Sequence, residues 1–186
     1  QNFIECAIKE DIGPGDFSSL ASIPEGKQGK AKLIIKDSGV LAGVELAALI
    51  FKTVDPMLQL EIFKKDGEYV NSNEIGLYVS GSAVSILSAD RLVLNCLQRM
   101  SAIATKTHQL SRLISHTRAK LMDTRKTTPN FRLMEKWAVY IGGGINHRFA
   151  LYDMVMLKDN HVDFAGGIHE AIFRTKKFLE EKKLYL

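Results

Sequence analysis

The sequence predicts an α/β protein built in two parts, and three observations carry that reading. Up to about residue 87, short apolar or alternating runs and helical patterns follow one another loosely with one hairpin signal, which suggests an α+β sandwich. From Ala119 the rhythm becomes strand, loop, helix, as in the right-handed β/α units of a barrel or wound sheet. Between the two lies one long stretch of helical periodicity.

In the first part, Phe3 to Glu10 is expected as a short helix with Phe3, Ala7 and Ile8 toward the core. It ends at DIGPGD (Asp11 to Asp16), which reads as a capped turn and not as a metal loop. Lys30 to Lys36 partly alternates and predicts a strand. Gly43 to Val54 predicts a helix stopped by Pro56, Leu58 to Phe63 a strand, Asp66-Gly67 a turn, and Gly76 to Leu87 one or two further strands. Ser88 is the expected N-cap of the long helix. Val93, Cys96, Leu97, Met100, Ile103 and Ala104 share one apolar face of it, leaving Arg91, Asn95 and Arg99 off that face. The pattern runs to about Ile114 and joins the two parts.

In the second part, Ala119 to Met122 and Met154 to Leu157 read as strands, the latter with the two-sided apolar character of a parallel sheet. Thr128 is the expected N-cap of a helix with Pro129 at its first position. Phe131, Met134, Trp137, Ala138 and Ile141 form its buried stripe and Gly142 its stop. A last helix is expected from Ile168 to about Lys182, with Leu184 to Leu186 starting a third strand. A closed β/α barrel takes roughly 200 residues or more, so the second part is unfinished. The chain is expected to be a fragment, or only the resolved part, of a longer polypeptide.

With 186 residues, 46% hydrophobic and 25% charged, the chain can bury the core of one or two soluble domains. No apolar run approaches the ~18 to 20 residues of a membrane span, and an N-terminus with Glu5, Glu10 and Asp11 is unlike a signal peptide. A soluble, cytoplasmic protein is expected. The net charge of +4 is modest and spread out, without the basic stripe and interleaved aromatics of a nucleic-acid binder. LEEKKL (Leu179 to Leu184) reads as a solvated helix face. Cys6 and Cys96 read as small buried apolar residues, not as a disulfide or metal pair.

The chemistry concentrates in three cationic clusters, DTRKTTP (Asp123 to Pro129), GGGINHR (Gly142 to Arg148) and LKDNH (Leu157 to His161). Each falls at a predicted loop or strand end, where α/β folds place their ligands, so a small polyanion is the expected ligand. The guanidinium forks of Arg125, Arg148 and Arg91 suit a substrate with two acidic groups, and Lys126 and Lys158 supply compact charges for phosphate or a leaving group. The competing possibility is that each pairs with an acid, Arg125 with Asp123 or Lys158 with Asp159. His147 and His161 could hydrogen-bond a carboxylate or help bind a metal, though no dense ligand cluster is evident. The triple glycine follows a helix, so it fails the context test for a phosphate cradle and reads as a turn that lets backbones approach closely.

EDIGPGD (Glu10 to Asp16), RLVLNCLQRMSAIAT (Arg91 to Thr105) and the block from Leu121 to His161, with DTRKTTP, EKWAV, GGGINHR and KDNH in order, resemble nicotinate-nucleotide pyrophosphorylase, also called quinolinate phosphoribosyltransferase. The resemblance spans essentially the whole chain. It implies an N-terminal α/β sandwich domain over 1–102, including most of the linking helix, then the first units of an incomplete, seven-stranded α/β barrel over 103–186. It also implies a homodimer with shared active sites and the conversion of quinolinate and phosphoribosyl pyrophosphate, with magnesium, to nicotinate mononucleotide, pyrophosphate and carbon dioxide.

By motif, Arg125, His147, Arg148 and Lys158 fall where that family binds quinolinate, Lys126 lies between the two substrates, and Arg91 matches an arginine inserted from the neighbouring subunit. Lys126 and Lys158 are the expected catalytic residues. The ligands of magnesium and the phosphate loops are expected mainly beyond Leu186. The family usually has glycine where Ala102 and Asn130 stand. The alternatives are a relative on the same scaffold, such as a ModD-like protein or a nicotinate phosphoribosyltransferase, and a non-catalytic anion- or nucleic-acid-binding domain. Paired Arg125 and Arg148 favour a dicarboxylate.

Overall fold

The computed structural model describes residues 2–185, a mixed α/β fold in two units, Gln1–Asn146 and His147–Leu186. The first contains α1 (Asn2–Asp11), α2 (Phe17–Ser22), β1 (Gln28–Ile34), β2 (Gly39–Val40), α3 (Val44–Val54), β3 (Gln59–Ile62), β4 (Tyr69–Val70), β5 (Ile75–Ser82), α4 (Ala83–Leu113) and α5 (Arg132–Ile141). The second contains α6 (Asp159–Ala165) and α7 (Ile168–Lys182).

In the first unit, β1 and β3 flank β5 in an antiparallel sheet, while β2 and β4 pair separately. Because side chains alternate along a strand, the register gathers Ala31 and Leu60 beside Val79, and Leu33 beside Leu77, on one face. On the other face lie Lys32, Tyr78 and Glu61, with the Lys30 ammonium 4.0 Å from the centre of the Tyr78 ring. The apolar face joins one core with α3 and α4, where Ile50, Cys96 and Met100 are completely buried. Two hydroxyls of α4 tie down the segment around β2. Thr105 Oγ1 accepts the Val40 N–H at 2.9 Å, and Ser101 Oγ accepts the Ala42 N–H at 3.0 Å. The expected Asp66-Gly67 turn also caps α3, since the Asp66 carboxylate accepts from Val44 N and Glu45 N.

Several expectations need correction. The N-cap of the long helix is Ser82, whose hydroxyl accepts the Ser85 N–H, and Ala83 to Leu87 are helical. That run is too short and apolar for periodicity to tell strand from helix. Ser88 lies inside α4 and its hydroxyl donates to Asp16, the N-cap of the unforeseen α2, so DIGPGD does end in a capped turn. Cys6 is exposed and only Cys96 is buried, where loss of water pushes its thiol up to about 11. In α1 the most buried residue is Ile4, while Phe3 and Ile8 are half-buried against the core as expected, Phe3 edge-on to Phe131.

The expected strand at Ala119 to Met122 is reduced to one parallel bridge, Met122 to Ile145. Met154 to Leu157 carry no strand, and α6 starts directly after Lys158. A parallel strand exists only through hydrogen bonds to a neighbouring strand, and among the described residues the second unit supplies no such strand for this segment. Leu184 and Tyr185 form no strand, and Leu186 lies outside the described residues. Helix α7 matches its expected span.

Gly142 ends α5, as expected, and the reason is proximity. A Cβ there would stand 2.4 Å from the Ala104 carbonyl of α4 and 2.8 Å from Thr107 Cβ. Gly142→Ala is therefore expected to push α5 from α4 and to cost about 1–3 kcal/mol, read as a lower urea midpoint. An unchanged midpoint would mean that the contact yields freely.

Candidate active site

Arg125 and Lys126 lie on the irregular segment between the Met122 bridge and α5 in the first unit. Arg125 is half-buried, and its Nε is shut off from water without a hydrogen-bond partner. A buried guanidinium donor left open in this way costs free energy until an acceptor arrives. The alternative pairing of Arg125 with Asp123 is not formed. The Asp123 carboxylate instead receives Lys136 Nζ of α5 at 2.5 Å, both side chains being buried. Lys126 is exposed, and its amide donates to Thr124 Oγ1. Arg91 stands on the exposed side of α4.

The same segment is fastened further along. Thr128 donates its hydroxyl at 2.8 Å and its N–H at 3.3 Å to the Glu135 carboxylate. Arg99 of α4 donates to that carboxylate from Nε and Nη2, the latter at 2.8 Å. Thr127 Oγ1 accepts from Arg132 Nε. Burial alone would raise the Glu135 carboxyl, but hydrogen bonds from Arg99 and Thr128 and the Arg99 charge together hold it below the ordinary value. Because Thr128 is engaged in this way, it does not cap α5. The N-cap is Phe131, preceded by a turn at Pro129 and Asn130.

In the second unit, Arg148 is only 8% exposed and spends Nη1 on the Met154 carbonyl at 3.2 Å. Asp153 closes the intervening loop by accepting the N–H groups of Ala150 and Phe149, which lower its carboxyl along with the charge of Arg148. His147 is half-buried. Lys158 is exposed at the start of α6, where its N–H donates to His161 Nδ1 at 3.0 Å. That bond gives His161 a capping role and leaves its proton on Nε2, so a metal or ligand contact is not needed to explain it. Glu135, Lys136 and Asp153 were not singled out from sequence. No local signal marks them, since charged residues in a helix or loop ordinarily face water.

The family model for the N-terminal domain of quinolinate phosphoribosyl transferase matches residues 16–101, and that for its C-terminal domain matches 103–185. The chain belongs to the quinolinate phosphoribosyltransferase family. It is 49% identical over 184 residues to the chloroplastic nicotinate-nucleotide pyrophosphorylase [carboxylating] of Oryza sativa subsp. japonica, covering 98% of this chain and 49% of that protein. It is 41% identical over 168 residues to a probable nicotinate-nucleotide pyrophosphorylase [carboxylating] of Bacillus subtilis, covering 90% of this chain and 58% of that one. The crystal structure of NadC from Streptococcus pyogenes superposes with a TM-score of 0.89 at 38% identity, over 95% of this chain and 63% of that chain. Human nicotinic acid phosphoribosyltransferase, at 11% identity and a TM-score of 0.62 over 88% of this chain and 40% of that one, shares the fold. The chain spans about half the length of the first curated relatives it matches.

Asn130, at a position where the resemblance leads one to expect glycine, has φ +60°. Glycine meets no steric penalty in that left-handed region, and asparagine is among the few residues that tolerate it. Asn130→Gly is thus expected to leave stability within about 0.5 kcal/mol, and Asn130→Val to lose about 1–2 kcal/mol in denaturant titrations. Equal stability of the two variants would refute this account of the departure.

The depressed Glu135 carboxyl sets a pH dependence. Its stabilising contribution is complete above the ordinary value of 4.5 and is lost as pH falls below that toward the lower folded value. Glu135→Gln should flatten the acid limb of stability against pH. An unaltered acid limb would show that the ionised carboxylate contributes nothing.

Proposed function

We propose that the polypeptide carrying this chain transfers phosphoribosyl from phosphoribosyl pyrophosphate to quinolinate with decarboxylation, giving nicotinate mononucleotide, pyrophosphate and carbon dioxide in NAD biosynthesis. The observation that carries the reading is the buried, unpartnered Nε of Arg125 on a segment fastened at both ends. A guanidinium that lacks an internal acceptor is suited to a carboxylate of the ligand. Within the family framework, the 1–102 portion is the sandwich domain and 103–186 the first units of the barrel domain, in a homodimer to whose neighbouring site Arg91 contributes.

Quinolinate carries two carboxylates, and its ring nitrogen must meet the ribose anomeric carbon as pyrophosphate departs. Arg125, His147, Arg148 and Lys158 are proposed to bind the dicarboxylate, and Lys126 to sit between the substrates with its ammonium toward the departing oxygen. Lys158 is proposed as a second compact charge where anionic character develops. Fixed charges of this kind lower the barrier through positioning and electrostatic stabilisation, without a covalent enzyme intermediate. Once ribosylated, the ring nitrogen is cationic and takes up the electron pair released when the adjacent carboxylate leaves as carbon dioxide. Magnesium belongs to the proposal as counter-charge to pyrophosphate. Among the described residues no three His, Cys, Asp or Glu side chains form a donor set for it.

A cytoplasmic location is kept within this proposal. Among the described residues no helix is long and apolar enough to cross a membrane, while plant relatives carry chloroplastic or mitochondrial in their names.

The test uses the full-length polypeptide with quinolinate labelled in its 2-carboxylate. Labelled carbon dioxide should appear only with phosphoribosyl pyrophosphate and magnesium both present. A folded protein that binds quinolinate without releasing it would move the reading to a relative with altered chemistry. Arg125→Ala should weaken quinolinate binding on the order of 100-fold and phosphoribosyl pyrophosphate binding far less. Equal weakening of both would contradict the carboxylate role.

A further inference from the structure

Helix α5 places two consecutive charged residues, Glu135 and Lys136, in the interior, at 7% and 3% exposure. They reach opposite ends of one loop. Lys136 Nζ meets the Asp123 carboxylate at the start of DTRKTTP, and Glu135 takes the hydroxyl and N–H of Thr128 near its end. Oriented to suit its neighbours, the Asn146 amide donates to Asp123 Oδ2 and to the Lys136 carbonyl, each at 2.8 Å. Three sequence motifs, DTRKTTP, EKWAV and GGGINHR, therefore meet around the buried pair of Lys136 and Asp123.

We propose that Glu135 and Lys136 act as a two-point clamp that sets the path of residues 123–128 and so positions Arg125 and Lys126 for the anionic ligand. The inference rests on the function proposed above, and the two are positioning residues, since neither is assigned a contact with substrate. Two arguments support it beyond geometry. Buried ion pairs are weak stabilisers compared with apolar residues of equal size, so mere packing of α5 does not account for two charges here. The pair also has a second consequence. Asp123 is two residues from Arg125 and is the acid that could capture it, yet Lys136 and Asn146 hold its carboxylate, and Arg125 Nε keeps no partner among the described residues. The clamp thus aims the loop and withholds the competing acceptor.

The experiment uses the full-length polypeptide and Thr128→Val, which keeps the shape of an exposed side chain and removes its hydroxyl, with Thr128→Ser as the conservative control. Lys136→Met tests the other end if it folds. Two readouts are needed, hydrogen exchange at the amides of residues 124–128 and equilibrium binding of quinolinate and of phosphoribosyl pyrophosphate. Thr128→Val should speed exchange in this segment and weaken quinolinate by about tenfold or more, with a smaller effect on phosphoribosyl pyrophosphate and restoration in Thr128→Ser. Unchanged exchange overturns the clamp. Faster exchange with unchanged quinolinate affinity overturns the positioning role and leaves a structural one. If the unsubstituted protein does not bind quinolinate, the functional reading fails and the positioning role falls with it, whereas the exchange data still judge the clamp itself.

Discussion

What the first unit offers to a ligand depends on the buried ion pair between Lys136 and Asp123. An ammonium and a carboxylate moved out of water must find each other closely, and here the pair closes at 2.5 Å with both side chains under a tenth exposed. Removing either partner would strand the other in the interior. The pair therefore fixes more than two side chains. It holds the start of the cationic loop against α5, beside the parallel bridge from Met122 to Ile145.

The second fastening extends that constraint to the long helix. Arg99 is off the apolar face of α4 and more than half exposed, yet its guanidinium binds Glu135 through Nε and Nη2. Beneath it, Gly142 and Gly144 let the end of α5 approach α4 more closely than a side chain would permit. Backbone proximity and the charge bridge act together, since the first brings α5 to α4 and the second fixes how it is turned. The sheet and α3 then matter to the loop indirectly, by burying the apolar face of the 31-residue α4.

Elements defined by their own periodicity were legible in the sequence. The α4 face of Val93, Cys96, Leu97, Met100 and Ala104 is buried as its spacing required, and α3 and α7 begin and end near their signals. Ser88 misled because a good capping residue was placed inside a helix, where its hydroxyl serves Asp16. The strands after Ala119 were a different case. Their apolar character was readable, but a parallel strand is a property of a sheet and not of one segment. Of the site, the cationic residues were visible as motifs. What holds them was hidden, because Glu and Lys in a helix ordinarily face water, and nothing local distinguishes Glu135 and Lys136 from such a pair.

The unpartnered donor of Arg125 gives this arrangement its functional sense. A buried N–H without an acceptor destabilises the empty protein by about 1–3 kcal/mol, and a free loop would relieve that by turning the guanidinium outward or by drawing in Asp123. The second escape is closed because Asp123 is engaged by Lys136 and Asn146, and the fastenings at Asp123 and Thr128 limit the backbone movement that would assist the first. A carboxylate bound as proposed would meet a donor already dehydrated, so less reorganisation is left to oppose binding. The charges buried along α5 are thus the structural counterpart of the open donor. On the proposed role of Arg125, they exchange stability that a plainer core would have kept for a loop that stays ready for an anion.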